Sequence, residues 1–132
     1  MSKLFPRTAV VGIMSALALG TIVSLPAYAH DGDRVRRPGV CTGASTSKVT
    51  LKHEDGRIEA EFEVDSNRVG QRWNVVIKDN GVIVFSGARI TTAPSGSFEV
   101  ERLIPNRVGT DAVVASAKTP AAGESCVARA SI

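Results

Sequence analysis

Residues 57–65 (RIEAEFEVD) alternate apolar and acidic side chains after the first arginine. A helix repeats its apolar side chains every three or four residues, whereas strict period-two alternation is typical of a strand with one buried face. The apolar set expected in the core is Ile58, Ala60, Phe62 and Val64, and the acidic set expected outside is Glu59, Glu61, Glu63 and Asp65. Because an odd register shift would bury the acidic set, this segment defines one sheet face.

Period-two alternation recurs in short segments at even spacing along the rest of the chain, with turn-forming residues between the segments. Several short strands without a helical stretch are typical of an antiparallel sandwich. The fold class predicted is therefore all-β, a seven-stranded antiparallel sandwich. The seven strands are expected within residues 47–52, 57–65, 72–79, 82–90, 97–103, 111–117 and 125–132.

Two turns set the expected pairing of neighbouring strands. Residues 53–56 (HEDG) read as a four-residue turn, and Asn80-Gly81 reads as a two-residue type I′ turn, which needs positive φ at both positions. The expected cross-strand partners are Leu51 with Ile58 and Ile77 with Val84.

The first 29 residues have the features of a cleaved secretory signal peptide. Lys3 and Arg7 precede an uncharged apolar run over residues 9–23, and Ala27-Tyr28-Ala29 fits the small-x-small cleavage pattern. The run is shorter than the roughly 20 residues that span a bilayer. We therefore expect a secreted, extracellular protein without a membrane segment after cleavage, with a flexible charged lead-in over residues 30–40 and the sandwich domain over residues 41–132.

Charge argues against a nucleic-acid partner. Removing the leader takes away two of the 16 basic residues and none of the 13 acidic ones, which leaves the chain close to neutral. A near-neutral domain lacks the field that drives non-specific binding to phosphates.

Cys41 and Cys126 are the only cysteines in the chain. An even number of cysteines in an exported protein predicts a disulfide, and two allow one intramolecular bridge. Zinc is a poorer explanation because no histidine lies near either thiol in the sequence.

Several stretches resemble small secreted actinobacterial proteins of unknown function: CTGAS, EDGRIEAEFEVD, KDNGVIVFSG, APSGSFEVERLIPNR and PAAGESC. The seven strands, with Trp73 on the third and Leu103-x-Pro105 before the sixth, are also similar to immunoglobulin-like and fibronectin type III-like sandwiches. The resemblance implies an immunoglobulin-like or fibronectin type III-like sandwich and export from the cell. It implies no activity. The chain departs from the antibody pattern in having no tyrosine near Asp111 and no cysteine bridge between the second and sixth strands.

Metal chemistry has one candidate pair, His30 and His53. Cleavage after Ala29 would leave His30 as the first residue, whose amine and ring nitrogen could hold copper together with His53. The alternative is an incidental junction residue and a turn histidine, and we expect no metal or other cofactor.

Two charged groups also have ordinary explanations. The acidic set (Glu59, Glu61, Glu63 and Asp65), which we call the acidic stripe, could bind calcium or hydrolyse a glycoside. Such sites need carboxylates that converge in a cleft, so we expect the stripe to be a solvated outer face instead. Arg34, Arg36 and Arg37 could bind an anionic polymer or mark a processing site, and a solvated linker is expected instead.

No catalytic motif is present: the sequence has no G-x-S-x-G elbow and no glycine-rich phosphate loop. The sequence therefore predicts a secreted non-catalytic module, not an enzyme, that binds a protein or cell-surface partner or has a structural role there. The alternative is a secreted hydrolase inhibitor with residues 66–71 or 119–124 as its bait loop, and a second alternative is copper binding.

We predict processing after Ala29. Intact-mass analysis of culture supernatant should show a chain that begins at His30, because the charged segment, apolar run and Ala-x-Ala end together direct export and cleavage. Recovery of only the full-length chain, from membranes, would contradict this.

Overall fold

The computed structural model describes residues 34–132, which form nine strands and no helix. The strands pair antiparallel in two sheets that pack as a sandwich, so the all-β class is confirmed. The strands are β1 (Arg34–Pro38), β2 (Val40–Cys41), β3 (Thr46–Glu54), β4 (Arg57–Asp65), β5 (Arg72–Asp79), β6 (Val82–Ile90), β7 (Ser97–Pro105), β8 (Ala112–Thr119) and β9 (Glu124–Ser131). Residues 34–132 contain no helix that could cross a membrane.

Of the two strands beyond the predicted seven, β1 lies within residues 30–40, which were expected to be a flexible lead-in, and β2 joins the last residue of that segment, Val40, to Cys41. The four-stranded sheet has the order β1-β3-β4-β7 and the five-stranded sheet β2-β9-β8-β5-β6, so β1 and β2 each cover an edge. Gly39 makes the crossing between sheets: its N–H donates to the Ser47 carbonyl at 2.8 Å, and a Cβ there would lie 2.1 Å from Ser47 Oγ. The folded domain thus includes Arg34, because β1 satisfies backbone groups that β3 would otherwise leave unpaired.

The inward faces meet in one core, as the alternation predicted. Phe62 and Phe98 lie edge to face with their centroids 6.5 Å apart, and Trp73 lies 6.2 Å from Phe98. These three rings join the two sheets, since Phe62 and Phe98 belong to β4 and β7 and Trp73 to β5. The predicted core residues that are buried include Val49, Leu51, Ile58, Ala60, Phe62, Val64, Trp73, Val75, Ile77, Phe98, Val100, Val113, Ala115, Ala117, Cys126, Ala128 and Ala130.

The predicted register of β3 and β4 was wrong by two residues. Leu51 lies opposite Ala60, and not opposite Ile58, because the turn contains only two residues, Asp55 and Gly56. Both have positive φ, 46° and 77°, as a tight hairpin requires. An even shift leaves every side chain on its expected face, so the core is unaffected.

The Asn80-Gly81 turn has the expected positive φ values, 48° and 82°. A bulge after Ile77 nevertheless shifts the register, so that Ile77 faces Phe85, whereas Val84 was expected there. Phe85 is consequently buried and Val84 only partly so.

The disulfide between Cys41 and Cys126 is confirmed. The two residues lie directly opposite each other on β2 and β9, and the bridge closes a sequence separation of 85 residues. It therefore fixes the N-terminal edge segment to the last strand of the sandwich.

Cys126→Ser should lower the free energy of unfolding by about 2–5 kcal/mol, because the loss of a native bridge frees the unfolded chain and here also places a hydroxyl in the core. Urea unfolding monitored by Trp73 fluorescence measures this, with chemically reduced wild type as the control. A midpoint equal to that of oxidised wild type would contradict the role of the bridge.

Candidate functional site

Four connections meet at one end of the sandwich, and we call them the loop end: residues 42–45, 66–71, 91–96 and 120–123. Both segments predicted as bait loops from the sequence, 66–71 and 119–124, reach this end. Together with the 42–45 connection, these two segments line an open cavity of about 310 Å³, and most of its wall is polar. Polar and charged residues lining it include Thr42, Ser45, Ser66, Arg68, Gln71 and Glu124.

Thr91 braces the 66–71 loop. Its buried hydroxyl donates to the carbonyl of Arg68 and accepts from the N–H of Gln71 at 2.9 Å. Its carbonyl accepts from the N–H of Gly70 at 2.8 Å. Its N–H also donates to the carbonyl of Gln71 at 2.9 Å, so four hydrogen bonds attach the backbone of the loop to one buried residue.

The 91–96 connection packs closely under the same loop. Gly96 has a φ of 78°, and a Cβ there would lie 2.3 Å from the backbone nitrogen of Arg68. The carbonyl of Gly96 also accepts from the N–H of Ser66 at 3.0 Å. Only glycine permits this approach, so the sequence of the 91–96 connection determines the position of the 66–71 loop.

Glu124 forms the opposite wall of the cavity. One of its oxygens, Oε1, accepts from the N–H of Ser45 at 2.9 Å, and a Cβ on Gly43 would lie 2.8 Å from the carboxyl group. The N–H of Ser125 donates to Thr42 Oγ1 at 3.0 Å. The 42–45 loop is thus attached to the start of β9, next to the disulfide.

Arg68 and Val69 form the exposed tip of the loop end, and 61% of Val69 is accessible. Arg68 makes no ion pair with any residue between 34 and 132. Below the tip, Gln71 accepts a hydrogen bond from the indole nitrogen of Trp73 at 3.0 Å, which connects the cavity wall to the core. This arrangement offers a cation, an apolar side chain and a polar cavity on a rigid frame.

Among residues 34–132, the loop end shows no serine or cysteine beside a histidine. Ser66 Oγ donates to the carbonyl of Gly96 at 3.2 Å, and the cavity lining that the described part of the chain provides contains no histidine. A serine needs an adjacent base for activation. Both cysteines are in the disulfide.

The other candidates from the sequence lie elsewhere. His53 is on β3 opposite Ile58, whereas His30 falls outside the described residues, so their copper site stays a prediction. Arg34, Arg36 and Arg37 belong to β1.

The acidic stripe occupies the outer face of the four-stranded sheet, with β7 adding Glu99 and Glu101 beside it. Partial desolvation, followed by the charges of Glu61, Glu63 and Glu101, raises the pKa of the Glu99 carboxyl. The carboxylates therefore repel one another.

Two buried aspartates at the opposite end of the sandwich were missed from the sequence. Asp79 and Asp111 are both fully buried, and Arg107 Nε lies 3.4 Å from Asp79 Oδ2. Desolvation, then the charge of Asp111, raises the pKa of Asp79, although Arg107 offsets part of the effect. Asp79 could have been found, since it continues the inward series of Trp73 along β5.

Comparison of the chain with models of protein families, with curated proteins and with solved structures found no match.

The raised pKa of Asp79 predicts a stability that falls as pH rises. The folded state binds the Asp79 proton more tightly than the unfolded state does, and this difference stabilises the folded state at low pH. The stabilisation is lost as pH rises from about 4 through the raised pKa of Asp79. Asp79→Asn, which resembles the neutral form, should flatten this fall, by at most about 1.4 kcal/mol per pH unit for one proton.

Urea unfolding between pH 4 and 8 measures the effect, with the exposed Asp55→Asn as the matched control. The same slope in wild type and Asp79→Asn would show that Asp79 is ionised throughout this range.

Proposed function

We propose that the protein is a secreted, non-catalytic module of the immunoglobulin-like or fibronectin type III-like kind, which binds a protein or cell-surface partner through the loop end. The observation that carries this proposal is the braced 66–71 loop, which presents Arg68 and Val69 beside a polar cavity. A surface that is rigid before binding loses little conformational entropy on association.

The strand order supports the fold assignment. Without β1 and β2, three strands remain in one sheet and four in the other, in the orders β3-β4-β7 and β9-β8-β5-β6. Sandwiches of this kind carry their binding loops at the ends of the sheets. Secretion is supported by the disulfide, because such bonds persist in oxidising compartments, and by the leader-like residues 1–29.

Site-specific photo-crosslinking tests the proposal. The secreted protein carries a photoreactive amino acid at Val69, and the matched control carries it at Val108, an exposed valine at the opposite end. On producing cells, Val69 should give a discrete crosslinked species that Val108 does not give. Excess unlabelled wild type should compete it away, and excess Arg68→Glu should not. Equal products from both positions, or none from Val69, would contradict the proposal.

Inhibition of a secreted hydrolase is a second candidate function, favoured by the same loop. The hydrogen bond from the buried Thr91 hydroxyl to the carbonyl of Arg68 fixes the backbone of the loop, while the side chains of Arg68 and Val69 stay exposed. A fixed, exposed loop of this kind is suited to block an active site.

Protease and amylase assays with excess protein test this candidate. Inhibition lost in Val69→Gly and kept in Val108→Gly supports it, and the absence of inhibition in wild type rejects it.

A further inference from the structure

β6 differs from the other three strands that form the edges of the two sheets. Natural sheets block an edge with charged residues, with proline or by keeping the strand short. Three arginines and Pro38 belong to β1, three charged residues and Pro105 belong to β7, and β2 has only two residues. By contrast, β6 has nine residues, contains no proline and carries one charged side chain, Arg89. Among the strands within residues 34–132, β6 is thus the edge least protected against pairing with another strand.

The backbone of β6 has hydrogen-bonding groups on its free side. In an antiparallel ladder, alternate residues direct both of their backbone groups to the same neighbour. The N–H of Thr91, just after β6, donates to the residue that precedes β5, so every second residue before Thr91 also faces β5. The residues between them, Ser86, Ala88 and Ile90, therefore direct their backbone groups away from β5. The carbonyl of Ala88 agrees with this direction, since it accepts from the guanidinium of Arg89 at 2.9 Å.

Apolar side chains lie along the same edge. Ile83 and Ile90 are 58% and 56% exposed, and both are on the outer face of the five-stranded sheet. The bulge in β6 is at Val84, close to the hairpin turn, so residues 85–90 pair with β5 without interruption. An exposed apolar edge with free backbone groups is a surface to which another strand can be added.

We propose that β6 pairs antiparallel with β6 of a second copy of this chain, which joins two five-stranded sheets into one sheet of ten strands. A two-fold axis at Ala88 places Ala88 opposite itself and Ser86 of one copy opposite Ile90 of the other, so the free backbone groups of both strands meet. The Ala88 carbonyl has two lone pairs and can accept an N–H in addition to Arg89. In this register Arg89 lies opposite Gly87, so the only charged side chain of the strand has no like charge directly across from it.

The chain's own N-terminal segment fits this edge less well than a second copy does. The chain enters the fold in β1, and β7, the strand that packs beside β6, is at the opposite edge of that sheet. Cleavage after Ala29 would leave residues 30–33 before β1, and four residues reach at most about 14 Å. Three strand spacings between β1 and β7 already take roughly 14 Å. The segment is therefore too short both to cross the sheet and to pair with β6.

Sedimentation velocity of the folded protein at increasing concentration tests the association. One strand pair is a small interface, so we expect a dissociation constant on the order of 10⁻⁵–10⁻³ M. The sedimenting species should shift from one chain to two and no further, because a two-fold contact is closed. The surface is separate from the loop end, so the result does not depend on the proposed function.

Ala88→Lys should weaken the dimer at least about tenfold, because it places two like charges directly opposite each other. The matched control is Val108→Lys at a fully exposed position far from β6, which should leave the dimer unchanged. The melting temperature of each variant shows that the monomer is folded. A wild type that sediments as one chain up to about 1 mM, or equal weakening by both lysines, would overturn the proposal and leave the edge to a strand of a different protein.

Cysteine crosslinking tests the register. In Ala88→Cys the two new cysteines lie opposite each other with Cα atoms about 5.5 Å apart, a distance that a disulfide spans. In Ser86→Cys, the control on the same strand, they are four residues apart along the pair, roughly 13 Å, which is too far. Mild oxidation should therefore give a covalent dimer of Ala88→Cys and leave Ser86→Cys as single chains. No dimer of Ala88→Cys, or equal amounts from both variants, would contradict the pairing.

Discussion

The contact on which the rest of the structure depends is the packing of three aromatic rings between the sheets. Phe98 lies against both Phe62 and Trp73, and all three are buried. Aromatic side chains dominate core energetics because each removes a large apolar area from water. Many other core residues are alanine or valine, so these rings contribute much of the apolar area that holds the two sheets together.

The loop end depends on that packing through short covalent and hydrogen-bonded links. Trp73 donates to Gln71, and Gln71 donates its backbone N–H to Thr91. The disulfide acts on the other wall in the same way, because Cys126 lies two residues after Glu124. Both walls of the cavity are thus attached to buried parts of the sandwich, so the cavity belongs to the folded chain itself.

The core could be predicted from the sequence because period-two alternation survives errors in register. Leu51 was paired with the wrong residue and is nevertheless buried, since the shift was even. The charged segment that forms β1 has no such pattern, and its place at a sheet edge depends on backbone groups that all residues share. Thr91 was missed because its hydrogen-bond partners lie 20 or more residues away, which local patterns do not encode. The burial of Asp79 follows from its place in the inward series of β5, and only its pairing with Arg107 could not be predicted locally.

The central claim is that the loop end is preformed, and amide hydrogen exchange of the free protein tests it most directly. The N–H groups of Gly70, Gln71 and Ser45 each donate to a partner across the loop end. They should exchange far more slowly than the same residues in an unstructured chain, with protection approaching that of strand amides. Exchange at unstructured rates at these three positions, with the strands still protected, would contradict the account.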